Sequence, residues 1–177
     1  MKAKLLGALL MYFTVNSHSY AADPSYNVKF TGKIVSSTCE ISTDSTNQTV
    51  PLGDHISSDF SAIGVTTQPV NFKIKLMNCS DKVSGASLTF TGDTDTDDAT
   101  LLALSDTGMG SSGILATGIG VQLLDKNKNS LSLNKPVLSS LTTGDNTLDY
   151  YLRYKSTKSV VTAGDATAVM YFDIQYQ

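Results

Sequence analysis

The C-terminal segment of the chain alternates between two sets of side chains with a period of two. One set is apolar and consists of Ala168, Met170, Phe172, Ile174 and Tyr176, and the intervening residues include Asp173 and Gln175. Such alternation is typical of a β-strand that is buried on one face only. Since no further strand pattern follows this segment, we expect its outer edge to be open to a strand from another molecule.

A second alternating segment lies near the start of the chain. Tyr26, Val28 and Phe30 alternate with polar residues such as Asn27 and Lys29. The pattern fits either a first strand that pairs within its own domain or a spare strand that pairs with another molecule. Pro24 lacks a backbone N–H and is expected to mark the point where pairing begins. Together, an open edge and a spare strand suggest polymerisation by strand addition.

Residues 1–21 have the pattern of a secretory signal peptide. Lys2 and Lys4 precede a short apolar run, and Ser19-Tyr20-Ala21 fits a cleavage site with small residues at both key positions. We therefore expect cleavage after Ala21; cleavage after Ala22 would place the bulky Tyr20 at a position that favours small residues. The apolar run is too short to span a bilayer, so the sequence predicts export without membrane insertion.

The net charge and the two cysteines further limit the functions that the sequence allows. The net charge of −3 becomes more negative once Lys2 and Lys4 are removed, and the chain has no cluster of Lys and Arg that would predict nucleic-acid binding. The chain contains two cysteines, Cys39 and Cys79, and in an oxidising compartment such a pair most simply forms a disulfide. Two free thiols or a metal pair are the alternatives, and the metal pair lacks neighbouring ligands.

The rest of the exported chain reads as short strands separated by turns. Alternating apolar residues predict strands over 70–77, 88–90, 119–123 and 148–154, and residues 92–113 are expected to form a long loop. Only residues 99–104 suggest a short helical turn. The pattern predicts an all-β sandwich with a single domain over residues 34–177.

Several segments in order resemble the pilin subunits of chaperone–usher fimbriae, the type 1 fimbrial family of Gram-negative bacteria. They are Val28-Lys-Phe-Thr-Gly-Lys-Ile-Val35 ahead of Cys39, Leu76-Met-Asn-Cys79, and Tyr171-Phe-Asp-Ile-Gln-Tyr-Gln177 with Tyr176 next to last. The resemblance covers the whole exported chain. It implies an incomplete immunoglobulin-like β-sandwich that lacks its last strand, with residues 22–33 as an N-terminal donor-strand extension.

The resemblance also implies partners and site residues. Neighbouring pilin subunits, a periplasmic pilus chaperone and an outer-membrane usher are the expected partners, and the expected location is the cell surface, in a fimbria that supports adhesion. The donor strand would insert Tyr26, Val28, Phe30 and Gly32 into a neighbour. The acceptor groove, which the chaperone would contact first, would be lined by Ala168, Met170, Phe172, Ile174 and Tyr176.

Signals for catalysis or cofactor binding are weak. His55 is isolated in a turn-rich segment, without a nucleophile or an orienting partner in the sequence. The glycines of residues 108–113 match a dinucleotide fingerprint but lack its strand-to-helix context. The acidic residues 93–98 lack the glycine and glutamate that a calcium loop requires. We therefore expect no enzyme activity, cofactor or metal; a tip or adaptor subunit, or a small secreted module, that binds a host glycan is the alternative function.

Overall fold

The structure, a computed structural model, describes residues 38–108, 110 and 112–177. The predicted signal peptide and the predicted donor segment lie outside these residues. The described part contains seven strands and two short helical segments: β1 (Glu40–Ile41), α1 (Thr43–Thr46), a 3-10 turn (Ser57–Asp59), β2 (Val70–Cys79), β3 (Gly85–Thr91), β4 (Ile119–Leu124), β5 (Pro136–Ser140), β6 (Gly144–Ser156) and β7 (Tyr171–Tyr176). None of its helices is both long and apolar enough to cross a membrane.

The strands form two antiparallel sheets that pack face to face. One sheet has the order β1-β2-β6-β4, and the other has the order β5-β3-β7. The inward faces of both sheets carry the aliphatic and aromatic residues that the alternation assigned to them, including Ile74, Leu76, Leu88 and Phe90, which are almost fully buried. This sandwich confirms the predicted fold class.

Aromatic rings link the two sheets at the centre of the core. The ring of Phe90 on β3 lies 4.8 Å from that of Tyr150 on β6 and 6.4 Å from that of Phe72 on β2, in edge-to-face arrangements. Phe172 on β7 joins this cluster, with its ring centroid 6.5 Å from that of Phe90. Such pairs stabilise a core beyond the area that they bury. The last strand is therefore attached to the main core, although it lies at the end of its sheet.

The outer strands β4 and β5 are protected in different ways. Leu102 exchanges two backbone hydrogen bonds with Val121 of β4, and Leu131 donates another to the Leu123 carbonyl. β5 has five residues and begins at Pro136, which has no N–H to offer. Short strands, proline and covering loops are the usual means of blocking unwanted strand pairing.

One local prediction was wrong. Residues 99–104 form a turn followed by an isolated bridge at Leu102, and they form no helix. Leu101 and Leu102 are both buried because the loop folds over β4, where Leu101 packs against the backbone of Gly120. The described residues of the segment predicted to be a loop, 92–108, 110 and 112–113, belong to no helix or strand, and the next strand is β4.

Candidate functional site

The open edge of β7 is the candidate site. β7 pairs with β3 along one side, in a register that places Tyr176 opposite Ala86 and Phe172 opposite Phe90. Within the part of the chain that the structure describes, no strand pairs with its other side. An unpaired edge presents a row of backbone donors and acceptors to an incoming strand.

The hydrogen-bond pattern shows which backbone groups face this edge. Gln177 and Gly85 exchange hydrogen bonds in both directions, at 2.8 and 3.4 Å between N and O. In an antiparallel pair, such hydrogen-bonded positions alternate with positions whose N–H and C=O point away from the partner. The groups of Phe172, Ile174 and Tyr176 therefore point towards the open edge.

The same residues present apolar side chains beside that edge. The structure places the five residues predicted to line the groove on one face, each partly buried and packed against the core: Ala168, Met170, Phe172, Ile174 and Tyr176. Residues on the opposite face are exposed, with 44% of Val169 and 67% of Tyr171 accessible to solvent. Apolar side chains and unpaired backbone groups thus lie along a single line, as a docked strand requires.

Regular pairing of β7 starts three residues later than the alternation predicts. Ala168 and Met170 continue the inward face but precede the strand, which begins at Tyr171. The paired ladder ends at Thr91 of β3. At the next residue, Gly92, a Cβ atom would collide with a methyl carbon of Leu102 and would lie 3.2 Å from the Val169 carbonyl oxygen, so the Leu102 side chain occupies the space beside this end of β3.

A disulfide and a tyrosine lie at the C-terminal end of β7 and fix that end of the site. Cys39 and Cys79 are joined in the predicted disulfide. The Tyr176 hydroxyl donates a hydrogen bond to the Cys39 carbonyl oxygen at 3.2 Å, which connects the end of β7 to the residue before β1. Burial raises the pKa of the Tyr176 phenol, so it remains a neutral donor at physiological pH.

A β-bulge brings Cys79 to this position. Phe72, Ile74 and Leu76 point inward at alternate positions of β2, so strict alternation would point Cys79 outward. The register with β6 shifts between Leu76 and Cys79, and Asn78 has a left-handed φ of 52°. The extra residue restores an inward direction to Cys79, because a bulge inserts one residue without a partner. Sequence alternation alone could not reveal this shift, although an asparagine that tolerates positive φ is a signal for it.

The segment that leads into β7 is held by three residues of the long loop, at positions 105, 112 and 113. Thr167 donates its hydroxyl to the Ser105 carbonyl at 2.6 Å, and Ser105 donates its N–H to the Thr167 carbonyl at 2.7 Å. The Asp165 carboxylate accepts hydrogen bonds from the N–H groups of Ser112 and Gly113 at 2.9–3.1 Å. The glycine-rich stretch thus binds a carboxylate of its own chain.

The other residues considered for chemistry have structural contacts. The His55 Nε2 lies 3.1 Å from the Leu52 carbonyl oxygen, and its ring packs edge-on against Tyr154 at 5.8 Å. In the acidic segment, Asp98 forms an ion pair with Lys155 at 2.9 Å and accepts hydrogen bonds from Thr100. The hydroxyl of Thr100 and the ammonium of Lys155 lower the pKa of Asp98 to about 2.

Comparison with known proteins identifies the family to which this immunoglobulin-like β-sandwich belongs. The family described as fimbrial protein matches residues 28–177. The chain is 39% identical to the fimbrial-like protein YcbU of Escherichia coli K12 over 99% of both chains. It is 37% identical to the type 1 fimbrial subunit of Salmonella typhimurium, over 96% of this chain and 95% of that one. A solved structure of a chaperone–usher pilus matches 90% of this chain and all of its own chain, with 25% identity and a TM-score of 0.63.

The chain therefore belongs to the fimbrial protein family. It is a fimbrial subunit of the chaperone–usher type, exported to the cell surface as part of a fimbria. Members of this family are structural subunits, and this kinship confirms the prediction that the chain is not an enzyme.

Proposed function

We propose that the protein polymerises by donor-strand exchange, in which residues 22–33 of one subunit pair with the β7 edge of the next. The observation that carries the proposal is the open edge of β7, where backbone groups and apolar side chains lie on one line. The donor would insert Tyr26, Val28 and Phe30 beside Phe172 and Ile174, with Gly32 in phase behind them. Residues 34–177 form the acceptor domain in this scheme.

The energy available is sufficient for a durable fibre. Each large apolar side chain of the donor contributes up to about 1.5–3 kcal/mol on burial. Each additional backbone hydrogen bond contributes roughly 0.5–1.5 kcal/mol net. Three apolar residues and a ladder along β7 therefore approach the about 5–15 kcal/mol by which a whole domain is stable.

The same edge is the proposed binding surface for a periplasmic pilus chaperone. A half-buried apolar face of this kind favours aggregation if it stays exposed during export, so a strand lent by the chaperone would protect it. Exchange for the donor of the next subunit would then occur at the outer-membrane usher. The resulting fimbria would support adhesion of the cell. A tip or adaptor role with glycan binding stays a prediction.

The donor is tested by charge substitution on its two faces. Aspartate at Val28 and Phe30 is expected to abolish polymerisation, because the inward face cannot accept charge, whereas Asn27→Asp on the outward face is the matched control and is expected to polymerise. Polymers are measured by electron microscopy and by resistance to dissociation in detergent. Full polymerisation of the Val28→Asp, Phe30→Asp chain would contradict the proposal.

The chaperone surface is tested on β7 itself. Ile174→Asp is expected to prevent isolation of a one-to-one complex after periplasmic co-expression, whereas Tyr171→Asp on the exposed face is expected to leave the complex intact. Equal capture of both variants would show that the chaperone binds elsewhere.

A further inference from the structure

The outer face of β7 carries one charge that the described residues do not neutralise. Asp173 is exposed and lies between Tyr171 and Gln175, and it takes part in none of the ion pairs among the residues that the structure describes. Its neighbour across the ladder is Thr89 of β3, which is uncharged. A strand added to the open edge would bring its own outward residues to the other side of this carboxylate.

The geometry of the edge defines how such a strand pairs. Since the backbone groups of Phe172, Ile174 and Tyr176 face the edge, an antiparallel donor would form hydrogen-bonded pairs at these inward-facing positions. The outward-facing residues, Asp173 among them, would then fall in the non-hydrogen-bonded pairs, where side chains approach each other most closely. The Asp173 carboxylate would therefore lie close enough to interact electrostatically with the side chain directly opposite it.

Two features of the donor sequence select one register. If Pro24 were opposite Tyr176, a backbone carbonyl at the edge would lose its donor, because proline has no N–H. If the donor were shifted by two residues the other way, Tyr26 would pass the end of β7, which is Tyr176. The register between these limits pairs three donor residues with β7, Tyr26 with Tyr176, Val28 with Ile174 and Phe30 with Phe172, and places Gly32 opposite Met170, just before the strand.

This register places Lys29 of the donor directly opposite Asp173. We propose that Lys29 of one subunit forms an ion pair with Asp173 of the next and fixes the register and direction of the donor strand. The inference rests on the proposed donor-strand exchange and adds to it a specificity determinant on the solvent face. Opposite charges at paired positions favour their own register, whereas a shift by two residues in either direction separates them.

Charge reversal in the full chain tests the pair. Lys29→Asp and Asp173→Lys are each expected to accelerate dissociation of purified polymers in denaturant roughly two- to fivefold, the usual worth of a cross-strand charge pair. The double variant is expected to return to within about twofold of the unmodified chain, because the reversed charges again attract. Lys33→Asp is the matched control, since Lys33 falls opposite the uncharged Val169. The pair is overturned if the double variant dissociates as fast as the single ones, or if Lys33→Asp has the same effect.

Cysteine pairs measure the register directly. A polymer of the Asn27→Cys, Gln175→Cys chain is expected to form crosslinks between subunits, visible as a ladder on a non-reducing gel, because these positions are opposite in the antiparallel register. The Asn27→Cys, Tyr171→Cys chain is the control and matches a parallel strand. Preferential crosslinking of the control, or a polymer without the expected crosslink, overturns the register but leaves donor-strand exchange in place. The donor-strand exchange proposal is contradicted by a different result, namely polymers formed by a chain whose residues 22–33 have lost their apolar face, such as the Val28→Asp, Phe30→Asp chain.

Discussion

The disulfide between Cys39 and Cys79 gives the most quantitative prediction of stability. We expect the Cys39→Ala, Cys79→Ala variant to lose about 4 kcal/mol of unfolding free energy. The two cysteines are 40 residues apart in sequence, and closing a loop of that length restricts the unfolded chain. Against a typical total of about 5–15 kcal/mol, such a loss is large.

Local contacts of the sulfur add little to this figure. Asn146 donates a hydrogen bond to the Cys79 sulfur at 3.3 Å, but its amide also donates to the carbonyls of Thr142 and Gly144 at 2.7 and 3.2 Å. Asn146 therefore keeps partners when the sulfur is removed. The larger effect comes from the unfolded state, which gains freedom once the crosslink is absent.

Equilibrium unfolding in urea, on the exported chain in its monomeric form, provides the measurement. The midpoint should fall, and the dependence of the free energy on urea should steepen, because an uncrosslinked unfolded chain exposes more surface. The unmodified chain treated with reductant is the control and should behave like the variant. A loss below about 1 kcal/mol with an unchanged slope would refute the loop-closure reasoning.

Three further predictions follow from single residues. Phe172→Ala should cost about 2 kcal/mol, less than a fully buried phenylalanine, whereas its exposed neighbour in Tyr171→Ala should cost under about 0.5 kcal/mol; thermal unfolding measures both. Asp98→Asn should cost about 1 kcal/mol at pH 6 after allowance for solvent screening. Because the folded pKa of Asp98 is lowered to about 2 from 3.8, its stabilisation should be complete above about pH 5 and be lost as the pH falls through about 2 in urea titrations. Asn78→Gly should be nearly neutral, while Asn78→Val should cost about 1–2 kcal/mol, because a β-branched residue resists positive φ; urea midpoints measure the difference.

Clear outcomes would contradict each of these. Equal losses for Phe172→Ala and Tyr171→Ala would mean that the two faces of β7 do not differ in burial. A constant difference between the Asp98→Asn variant and the unmodified chain from pH 6 to pH 2 would exclude the ion pair as its cause. Equal stability of the glycine and valine variants at position 78 would show that the bulge relaxes.

The strands with one solvated face were predictable because their pattern depends only on local alternation. β2, β6 and β7 have the inward residues that the sequence indicates, since the core requires apolar side chains at every second position. The loop at 101–102 was not predictable in this way. Leu101 is buried because it packs against Gly120 of β4, and the Leu102 side chain is buried beside Gly92, so both contacts join segments that are not adjacent in sequence.

In the candidate site, too, some features follow from local alternation and others depend on tertiary contacts. Its apolar row follows from alternation, but the backbone groups that face the open edge follow from the pairing of Gly85 with Gln177, two residues far apart in the chain. The link from Tyr176 to the Cys39 carbonyl likewise depends on tertiary packing. Local sequence therefore predicts which side chains are apolar, whereas the register of the sheet determines which backbone groups face the open edge.

The protection of the other outer strands has a consequence for the shape of the assembly. The loop at Leu102 pairs with one side of β4, and the short β5 begins at Pro136, whereas the six residues of β7 have no strand partner on their outer side in the described part of the chain. If the proposed exchange uses one acceptor edge and one donor segment per molecule, growth would proceed head to tail, and the product would be a linear, unbranched thread with two different ends.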